Sequence, residues 1–464
     1  MPPLLAYLLN LIYLTAWLML APWLCWRAWS RKNPIRGFRA KWLGQVAHPA
    51  LDGRGAVVWF HGVSVGEIHL LRQVITRFRQ RFPDWQCVVS TTTNTGHDEA
   101  CTHFSGLPVI YWPFDFTWAV KSALQTIKPK LVVLSEGEIW PNFVRAAKKQ
   151  GVKLALINGR MSPRSAKRFR FWRWLVTGVF AKLDWIGAQN EEYRQHFENL
   201  GAINVLATGN IKYDGVNVER RNARTQTMRR LLGISSDAPV WVAGSTQDPE
   251  ESIAIEIYRR ATARHPKLRL ILVPRHPERF DEVARMLERS ALPFVRRSAL
   301  AVATPSPPAP LPEGEGSVTE LAPRAEGEGG VAQDAIILGD TMGELNAIWG
   351  LADLAFVGGS LDGKRGGQNM IEPSAYGAAV LFGPHTWNFK QTVADLLACD
   401  AAIQTEDASA LETAVTRLLD DGAMRDRLGR SARAFVLSQQ GATERTLNVL
   451  QKLMETPCGR KTAA

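Results

Sequence analysis

Short apolar runs alternate with helical patterns along most of this chain, and this alternation restricts the fold more than any other feature. The first series begins with residues 56–60 and continues through "QCVVSTT", "LPVIYWPF", "KLVVLSEGEIWP", "KLALINGR", "LDWIGAQN" and "INVLATGN". A second series begins near residue 239 with "PVWVAGST", "LRLILVPRHP", "AIILGDT", "ADLAFVGGS" and "AAVLFGP". Such runs predict buried strands of parallel sheets. We therefore expect an α/β enzyme with two Rossmann-like lobes and a cleft between them.

The N-terminal segment, residues 4–26, is almost wholly apolar and has the ~20 residues that a membrane-spanning helix needs. No basic residue precedes it. Six follow without an acidic residue among them: Arg27, Arg31, Lys32, Arg36, Arg39 and Lys41. The positive-inside rule then places the rest of the chain in the cytoplasm. We expect residues 1–30 to be a membrane anchor, although Asn10 and Pro22 leave a membrane-embedded hairpin or an interfacial helix as alternatives.

The bulk composition indicates an anionic partner. The chain has 464 residues, a net charge of +12 and five scattered cysteines. A basic surface suits nucleic acid, anionic lipid or a phosphorylated substrate. The cysteine spacing argues against a disulfide framework or a zinc site.

Residues 302–333 interrupt the pattern, because Pro, Gly and Glu dominate and almost nothing there can form a core. We expect a disordered insertion that can be removed without loss of fold or activity. The predicted domains are residues 31–215 and 216–464.

A stretch from Arg164 to Leu183 interleaves basic and aromatic side chains. Such a pattern suits an anionic membrane surface or single-stranded nucleic acid, and it is also typical of a helix whose aromatic face is core. The N-terminal anchor favours lipid. No nucleic-acid recognition motif accompanies the stretch, so we expect no nucleic-acid partner.

The segment "VVWFHGVSVGEIHLL" places Glu67 where a strand passes into a helix, a usual position for ligand sites in α/β proteins. The Ser64 to Glu67 spacing also fits a capping box, in which both side chains satisfy free backbone donors. In "SEGEIWPN", Glu136 and Glu138 lie two residues apart, so they face opposite sides of an extended chain.

Three turns in the second half carry the features of a nucleotide site. "FVGGSLDGKRGGQNMIEP" offers glycines and a helix start for a phosphate, with Glu372 suited to ribose hydroxyls. "LVPRHPERF" brings Arg275, His276 and Arg279 to a strand end, and "GDTMGEL" forms a third such turn. Neither a P-loop nor a G-x-G-x-x-G pattern is present in the first of these segments.

An ordered series of motifs resembles the 3-deoxy-D-manno-octulosonic acid (Kdo) transferases of lipopolysaccharide synthesis. The series is the N-terminal anchor, "SVGE", "SEGEIWPN", "NGRMSPRS", "AQNEE", "GNIKYD", "VPRHPERF", "GDTMGEL", "FVGGS", "GGQNMIEP" and "GPHTWNF". The resemblance implies the GT-B fold and inverting transfer of Kdo from CMP-Kdo to a lipid A precursor (lipid IVA). It also implies the cytoplasmic face of the inner membrane, contact with membrane lipids, and no metal or other cofactor.

The resemblance also implies roles for individual residues. Glu67 is the expected general base, and Glu136 and Lys212 are expected to stabilise the transition state. The implied CMP contacts are Pro274, Arg275, Met342, Gly343, Glu344, Asn369, Met370, Ile371 and Glu372. The chain departs from the family pattern at Gln247 and Pro249, where the family usually has His and Gly, and at Gly137, where it usually has Thr.

Two other functions remain open on the sequence. One is a membrane-associated GT-B transferase that uses a UDP-sugar, and the other is an anchored binding protein with a vestigial nucleotide site. Competition between UDP and CMP for the nucleotide site discriminates a UDP-sugar transferase from a CMP-sugar transferase. Release of CMP as a product excludes the binding protein.

Overall fold

The computed structural model of the chain describes residues 3–30, 36–46, 55–137, 139–171, 173–300 and 331–455. These residues form two compact units, residues 1–215 with 439–464 and residues 216–438. Most of the predicted insertion, residues 301–330, lies outside the described residues, and its removability stays a prediction. Its last residues, 331–333, are described: the Ala332 carbonyl accepts a hydrogen bond of 3.0 Å from the buried Arg269.

Each unit contains a parallel sheet of seven strands among the described residues. The first sheet consists of β1 (Val57–His61), β2 (Gln86–Thr91), β3 (Val109–Tyr111), β4 (Leu131–Ser135), β5 (Lys153–Gly159), β6 (Trp185–Ala188) and β7 (Val205–Ala207). The second consists of β8 (Val240–Thr246), β9 (Arg269–Pro274), β10 (Phe294–Arg296), β11 (Ile336–Leu338), β12 (Leu354–Val357), β13 (Ala379–Phe382) and β14 (Ala402–Gln404). The strand orders are β3-β2-β1-β4-β5-β6-β7 and β10-β11-β9-β8-β12-β13-β14.

Helices connect the strands, as parallel pairing requires. They are α1 (Pro3–Ser30), α2 (Phe38–Leu43), α3 (Val65–Arg81), α4 (Asn94–His103), α5 (Thr117–Ile127), α6 (Pro141–Lys149), α7 (Pro163–Phe171), α8 (Arg173–Phe180), α9 (Glu191–Asn199), α10 (Ala223–Leu231), α11 (Glu250–Thr262), α12 (Phe280–Ser290), α13 (Leu345–Trp349), α14 (Ile371–Ala375), α15 (Lys390–Ala398), α16 (Ala408–Asp420), α17 (Gly422–Gln439) and α18 (Ala442–Glu455). The expected α/β class with two parallel-sheet lobes is confirmed.

The alternation of side chains along β1 explains why its whole sequence is apolar. Val57 and Trp59 pack into the core on one face of the first sheet, and Val58 and Phe60 pack into the core on the other. A strand that is covered on both faces has no solvent side, so it reads as a continuous hydrophobic run. One face of the second sheet is covered by α11, α12 and α16, whose apolar residues share a core with the strands.

The C-terminal helix α18 packs on the first unit rather than on the second, which differs from the expected domain limit of 216–464. Leu447 and Leu450 enter the core that α3 covers. The Asp214 carboxylate accepts hydrogen bonds from the main-chain N–H groups of Gly441 and Thr443. The chain therefore returns to the first unit after residue 438.

Helix α1 contains a segment, Leu4–Trp23, that is long and apolar enough to cross a membrane. It is the one such segment found within the described ranges. Length and composition support an anchor but do not decide its orientation.

Candidate functional site

Glu67 lies in the first turn of α3, directly after the turn that follows β1. Its Oε2 accepts hydrogen bonds from the Val63 main-chain N–H (2.9 Å) and the Ser135 hydroxyl (2.6 Å). The Ser64 hydroxyl donates to Oε1 over 3.2 Å. Ser64 is the N-cap residue, but its side chain makes no capping bond to the helix backbone. The reciprocal capping box is therefore not formed, and Ser64 serves the carboxylate instead.

The environment of Glu67 moves its titration toward neutral pH. Burial raises the pKa of this carboxyl above its ordinary value, and the negative charge of Glu136 adds to the increase. The hydrogen bonds from Ser135, Val63 and Ser64 oppose it, because they stabilise the ionised form. A half-buried carboxylate with a raised pKa can accept a proton, as a general base must.

Glu136 follows β4 at the carboxyl edge of the first sheet, and β4 pairs directly with β1. Its backbone has a φ of 55°, the left-handed region that a residue with a side chain rarely adopts. Main-chain bonds to Ile157 and Arg160 hold this conformation. The Glu136 carboxylate forms an ion pair of 2.7 Å with Lys212. Glu138 lies outside the described residues.

Asn158, at the end of β5, joins this carboxylate to the turn that carries Lys212. Its side chain is fully buried, and its Oδ1 accepts a hydrogen bond of 3.0 Å from the Ile211 N–H. Its Nδ2 lies 3.5 Å from Glu136 Oε1. Asn158 also has a positive φ of 52°, which asparagine tolerates better than most residues. The sequence analysis missed Asn158 and Ser135, which are the residues that position the two carboxylates.

Glu67 and Glu136 share a cavity of about 380 Å³ within the first unit. Two arginines, Arg160 and Arg168, also line it. The remaining lining residues are Gly137, Ile139, Pro141, Met161, Ser165, Phe169, Val176, Val179, Phe180 and Phe197. The cavity thus combines carboxylates and cations with an apolar wall, so it suits an amphiphilic, anionic ligand.

The basic and aromatic stretch divides between core and surface. Phe169 packs against the core of the first unit, with its ring centroid 6.2 Å from that of Phe180. Arg164, Lys167 and Arg168 are exposed on α7. The side chains of residues 170–175 lie outside those that the structure describes.

In the second unit, one buried carboxylate organises the glycine-rich turn after β12. Glu250 accepts hydrogen bonds from the N–H groups of Gly359 (2.7 Å), Ser360 (2.8 Å), Leu361 (3.1 Å) and Gln247 (3.0 Å). Burial raises the pKa of Glu250, and these four donors oppose the increase. The Gly359 N–H donates to Glu250, and the Gly358 N–H donates to the Gly244 carbonyl over 2.9 Å. The expectation that these two N–H groups approach a phosphate is therefore wrong, because both donors already have an acceptor. Sequence analysis missed Glu250.

The turn after β9 is less cationic than its sequence predicts. Arg279 is paired with Glu251 at 3.1 Å and with Glu282 at 3.1 Å, so its charge is neutralised. Pro274 ends β9, and Arg275 is exposed beyond it. Arg275 therefore keeps an accessible guanidinium for an anion.

The other residues expected to contact CMP lie near the ends of β11 and β12. Met342 and Gly343 are exposed, whereas Glu344 pairs with Arg297 at 2.7 Å. Glu372 accepts hydrogen bonds from Asn369 (3.0 Å) and Asn346 (3.3 Å). Burial raises the pKa of Glu372, and these two donors oppose the increase.

Met370 and Ile371 are buried among apolar residues. Because the Ile371 N–H already donates to Asn369, the Ile371 main-chain donor is engaged as well. The structure brings Glu67, Glu136 and Lys212 together in the first unit. The nine residues expected to contact CMP all belong to the second unit, and their role stays a prediction.

Comparison with known proteins supports one family. A family model described as 3-deoxy-D-manno-octulosonic-acid transferase (kdotransferase) matches residues 37–215. A 3-deoxy-D-manno-octulosonic acid transferase of Haemophilus influenzae is 31% identical over 423 residues, covering 90% of this chain and 91% of the relative. The enzyme of the same name from Bordetella pertussis is 32% identical over 457 residues, covering 95% and 98%.

Solved structures show the fold at low sequence identity. A UDP-GlcNAc 2-epimerase from Neisseria meningitidis, solved with UDP-GlcNAc, has a TM-score of 0.56 with 13% identity. The match covers 86% of this chain and 100% of that one. The GT-B-like class is therefore confirmed.

Proposed function

Because this chain belongs to the 3-deoxy-D-manno-octulosonic acid (Kdo) transferase family of glycosyltransferases, we propose that it transfers Kdo from CMP-Kdo to a lipid A precursor, lipid IVA. The proposed reaction inverts the anomeric centre and uses Glu67 as the general base. A hydroxyl of the acceptor attacks the anomeric carbon of Kdo, its proton passes to Glu67, and the bond to the CMP phosphate breaks. CMP leaves as the product.

The contacts of Glu67 support its role as the base. Three donors fix the carboxylate, so its orientation is set before substrate binds. Burial and the neighbouring Glu136 raise its pKa, which improves proton transfer near neutral pH. Binding of lipid and sugar removes more water and raises the pKa further.

The Glu136–Lys212 pair supplies the second proposed element. Lys212 Nζ lies 2.7 Å from Glu136 Oε1, and the Lys212 side chain keeps 39% of its accessible surface. A cation in this position can hold the carboxylate of Kdo and stabilise charge in the transition state. Glu136 would hold Lys212 in place and keep the pKa of Glu67 high.

The cavity of the first unit matches the chemistry of the proposed acceptor. Lipid IVA presents sugar hydroxyls and phosphates at the head of acyl chains. Arg160 and Arg168 suit the phosphates, whereas the apolar wall around Phe169 and Phe180 suits aliphatic groups. A cavity of about 380 Å³ admits a head-group portion of such a lipid rather than the whole molecule.

We assign CMP binding to the second unit. Arg275 offers an exposed guanidinium, and Glu372 offers an acceptor for ribose hydroxyls. The leaving group carries a single phosphate, so fixed cationic groups suffice to stabilise it and the proposed reaction uses no metal ion. The proposed location is the cytoplasmic face of the inner membrane, where α1 meets lipid.

The observation that carries this proposal is the shared cavity of Glu67 and Glu136. The test is transfer from CMP-Kdo to lipid IVA by wild-type protein, Glu67→Ala and Glu67→Gln, with CMP binding measured in parallel. We expect both variants to lose at least about 10²-fold in kcat while CMP affinity stays unchanged. Retained activity in Glu67→Gln would assign the base to another residue. Wild-type protein that used only a UDP-sugar, or that released no CMP, would overturn the donor assignment.

A further inference from the structure

Polar side chains of helix α1 form hydrogen bonds with the first unit. In a membrane-spanning helix the same side chains would lie in hydrocarbon and would lack these partners. Asn10 is 6% exposed, and its Nδ2 donates to Thr117 Oγ1 over 2.8 Å. Its Oδ1 accepts from the Thr117 N–H (3.1 Å) and from Asn142 Nδ2 (3.3 Å). The Tyr13 hydroxyl donates to Asp115 over 3.3 Å. Asn10 thereby satisfies a free N–H at the start of α5, which has no side-chain cap of its own.

Apolar contacts extend this attachment along one face of the helix. Ala6 and Leu9 are buried beside Asn10. The Trp17 ring meets Trp42 of α2 edge-on, with centroids 4.5 Å apart. Residues 6, 9, 10, 13 and 17 recur at helical spacing and so share one face. The attached face is therefore at least three turns long.

The part of α1 that does not contact the first unit is too short to cross a membrane. The contacts reach at least Trp17, which leaves residues 18–30. At ~1.5 Å per residue this remainder is about 20 Å long, whereas the hydrocarbon core of a bilayer is ~30 Å thick. While Asn10 and Tyr13 hold Thr117 and Asp115, the helix cannot span.

The opposite face of α1 is apolar and exposed. Its exposed large side chains are Leu4, Tyr7, Leu8, Leu11, Ile12, Leu18, Met19, Leu20, Trp23 and Trp26. Two exposed aromatic residues adjoin Trp42 of α2. The Phe38 ring stacks on the Trp42 ring. Trp118, in the first turn of α5, donates a hydrogen bond of 2.9 Å to the Trp42 carbonyl. We call these twelve residues the lipid face.

We infer that α1 lies in the plane of the membrane and inserts the lipid face into one leaflet of an anionic bilayer, so that both ends of the helix stay on the cytoplasmic side. An in-plane helix buries its apolar face about 5–10 Å deep, and basic residues beside it add attraction to anionic lipid. Arg39 follows the helix and is exposed. Arg36 is exposed as well, but it is paired with Asp98 at 2.8 Å. This inference rests on the membrane location in the proposed function, but not on the reaction.

The orientation is tested with full-length protein that carries an N-terminal extension of one cysteine and a Gly-Ser spacer. A membrane-impermeant maleimide is applied to intact spheroplasts and to inside-out membrane vesicles. The native Cys101 and Cys399 are both exposed, so they report the cytoplasmic side in both preparations, and peptide mapping separates their labels from that of the extension. We expect the extension to be labelled only in inside-out vesicles, as Cys101 is. Labelling of the extension in intact spheroplasts would overturn the inference.

The lipid face is tested by flotation with vesicles of phosphatidylethanolamine and phosphatidylglycerol. We expect Leu8→Ser combined with Leu11→Ser to weaken vesicle binding at least about tenfold, because two apolar side chains lose burial in lipid. Ile203→Ser is the matched control, since Ile203 is 72% exposed on the same unit but outside the lipid face. Equal binding by all three proteins would refute the lipid face. Neither assay measures Kdo transfer, so failure of the reaction proposal is distinguished from failure of this one.

Discussion

Ser135 donates a 2.6 Å hydrogen bond to Glu67 across 68 residues of sequence. The contact exists because β1 and β4 are neighbours in the first sheet, so their carboxyl ends meet at one edge. It places the proposed base beside Glu136, the residue after Ser135.

The acid limb of the activity profile depends on the pKa of Glu67. A general base works only when ionised, and burial raises this pKa, so activity should fall at a higher pH than an exposed glutamate would give. Ser135→Ala removes a donor to the ionised form and should move the limb to higher pH. Glu136→Gln removes a like charge and should move it to lower pH. The measurement is kcat/KM against pH, and shifts of both variants in one direction would contradict the assignment.

Lys212→Met removes the cation beside Glu136. We expect kcat to fall by about 10²–10³-fold with little change in acceptor KM, because the lysine acts on charge that develops in the transition state. Lys212→Arg should recover part of the loss. Lys149→Met is the control, since Lys149 is exposed at the end of α6. An effect on KM alone would make Lys212 a binding residue.

Arg168→Gln removes an exposed cation that lines the cavity. We expect the KM for lipid IVA to rise about tenfold, because one charge-assisted contact to phosphate is lost. Lys167→Gln removes the same charge from the neighbouring position of α7, which is exposed but not among the lining residues. The KM of each variant is measured by steady-state kinetics with varied lipid IVA concentration. An equal increase in KM for both variants would assign the effect to the general surface charge instead.

Glu250→Ala leaves three buried N–H donors and one partly buried N–H donor without their acceptor. We expect the free energy of unfolding to fall by about 2–4 kcal/mol, with weaker CMP binding because the turn at 359–361 loses its anchor. Glu256→Ala on the same helix is the control, since this side chain is 45% exposed. Urea denaturation and calorimetric CMP titration give both quantities. An unchanged free energy of unfolding would show that the turn at 359–361 does not depend on Glu250 for its stability.

Most strands were predictable because they are buried on both faces and therefore read as continuous apolar runs. β7 is an exception, since Leu206 and Ala207 are exposed. All twelve predicted runs are strands in the structure. The two that were missed, Phe294–Arg296 and Ala402–Gln404, are three-residue strands at the outer edge of the second sheet. Both are only partly buried, and each contains a polar residue within its three positions, so neither forms the hydrophobic run that marks the predicted strands.

The expected site residues were identified by motif, whereas their partners were not. Ser135 and Asn158 lie at the ends of β4 and β5, which are distant in sequence from Glu67 and Lys212. Only the order of the parallel strands brings these residues together. Glu250 is invisible for the same reason: an acidic residue at a helix start is usually a solvated dipole partner, yet here it is 1% exposed and bonded to a turn more than 100 residues away.

The sequence by itself determined the two α/β units, the family, and an apolar segment long enough to cross a membrane, because these depend on periodicity and composition that the chain carries locally. Tertiary structure alone decided which carboxylates share a cavity, which arginines remain unpaired in the second unit's turn after β9, and which face of α1 is covered. Those properties depend on strand order and on contacts such as Asn10 with Thr117, which join residues that the sequence separates by 107 positions.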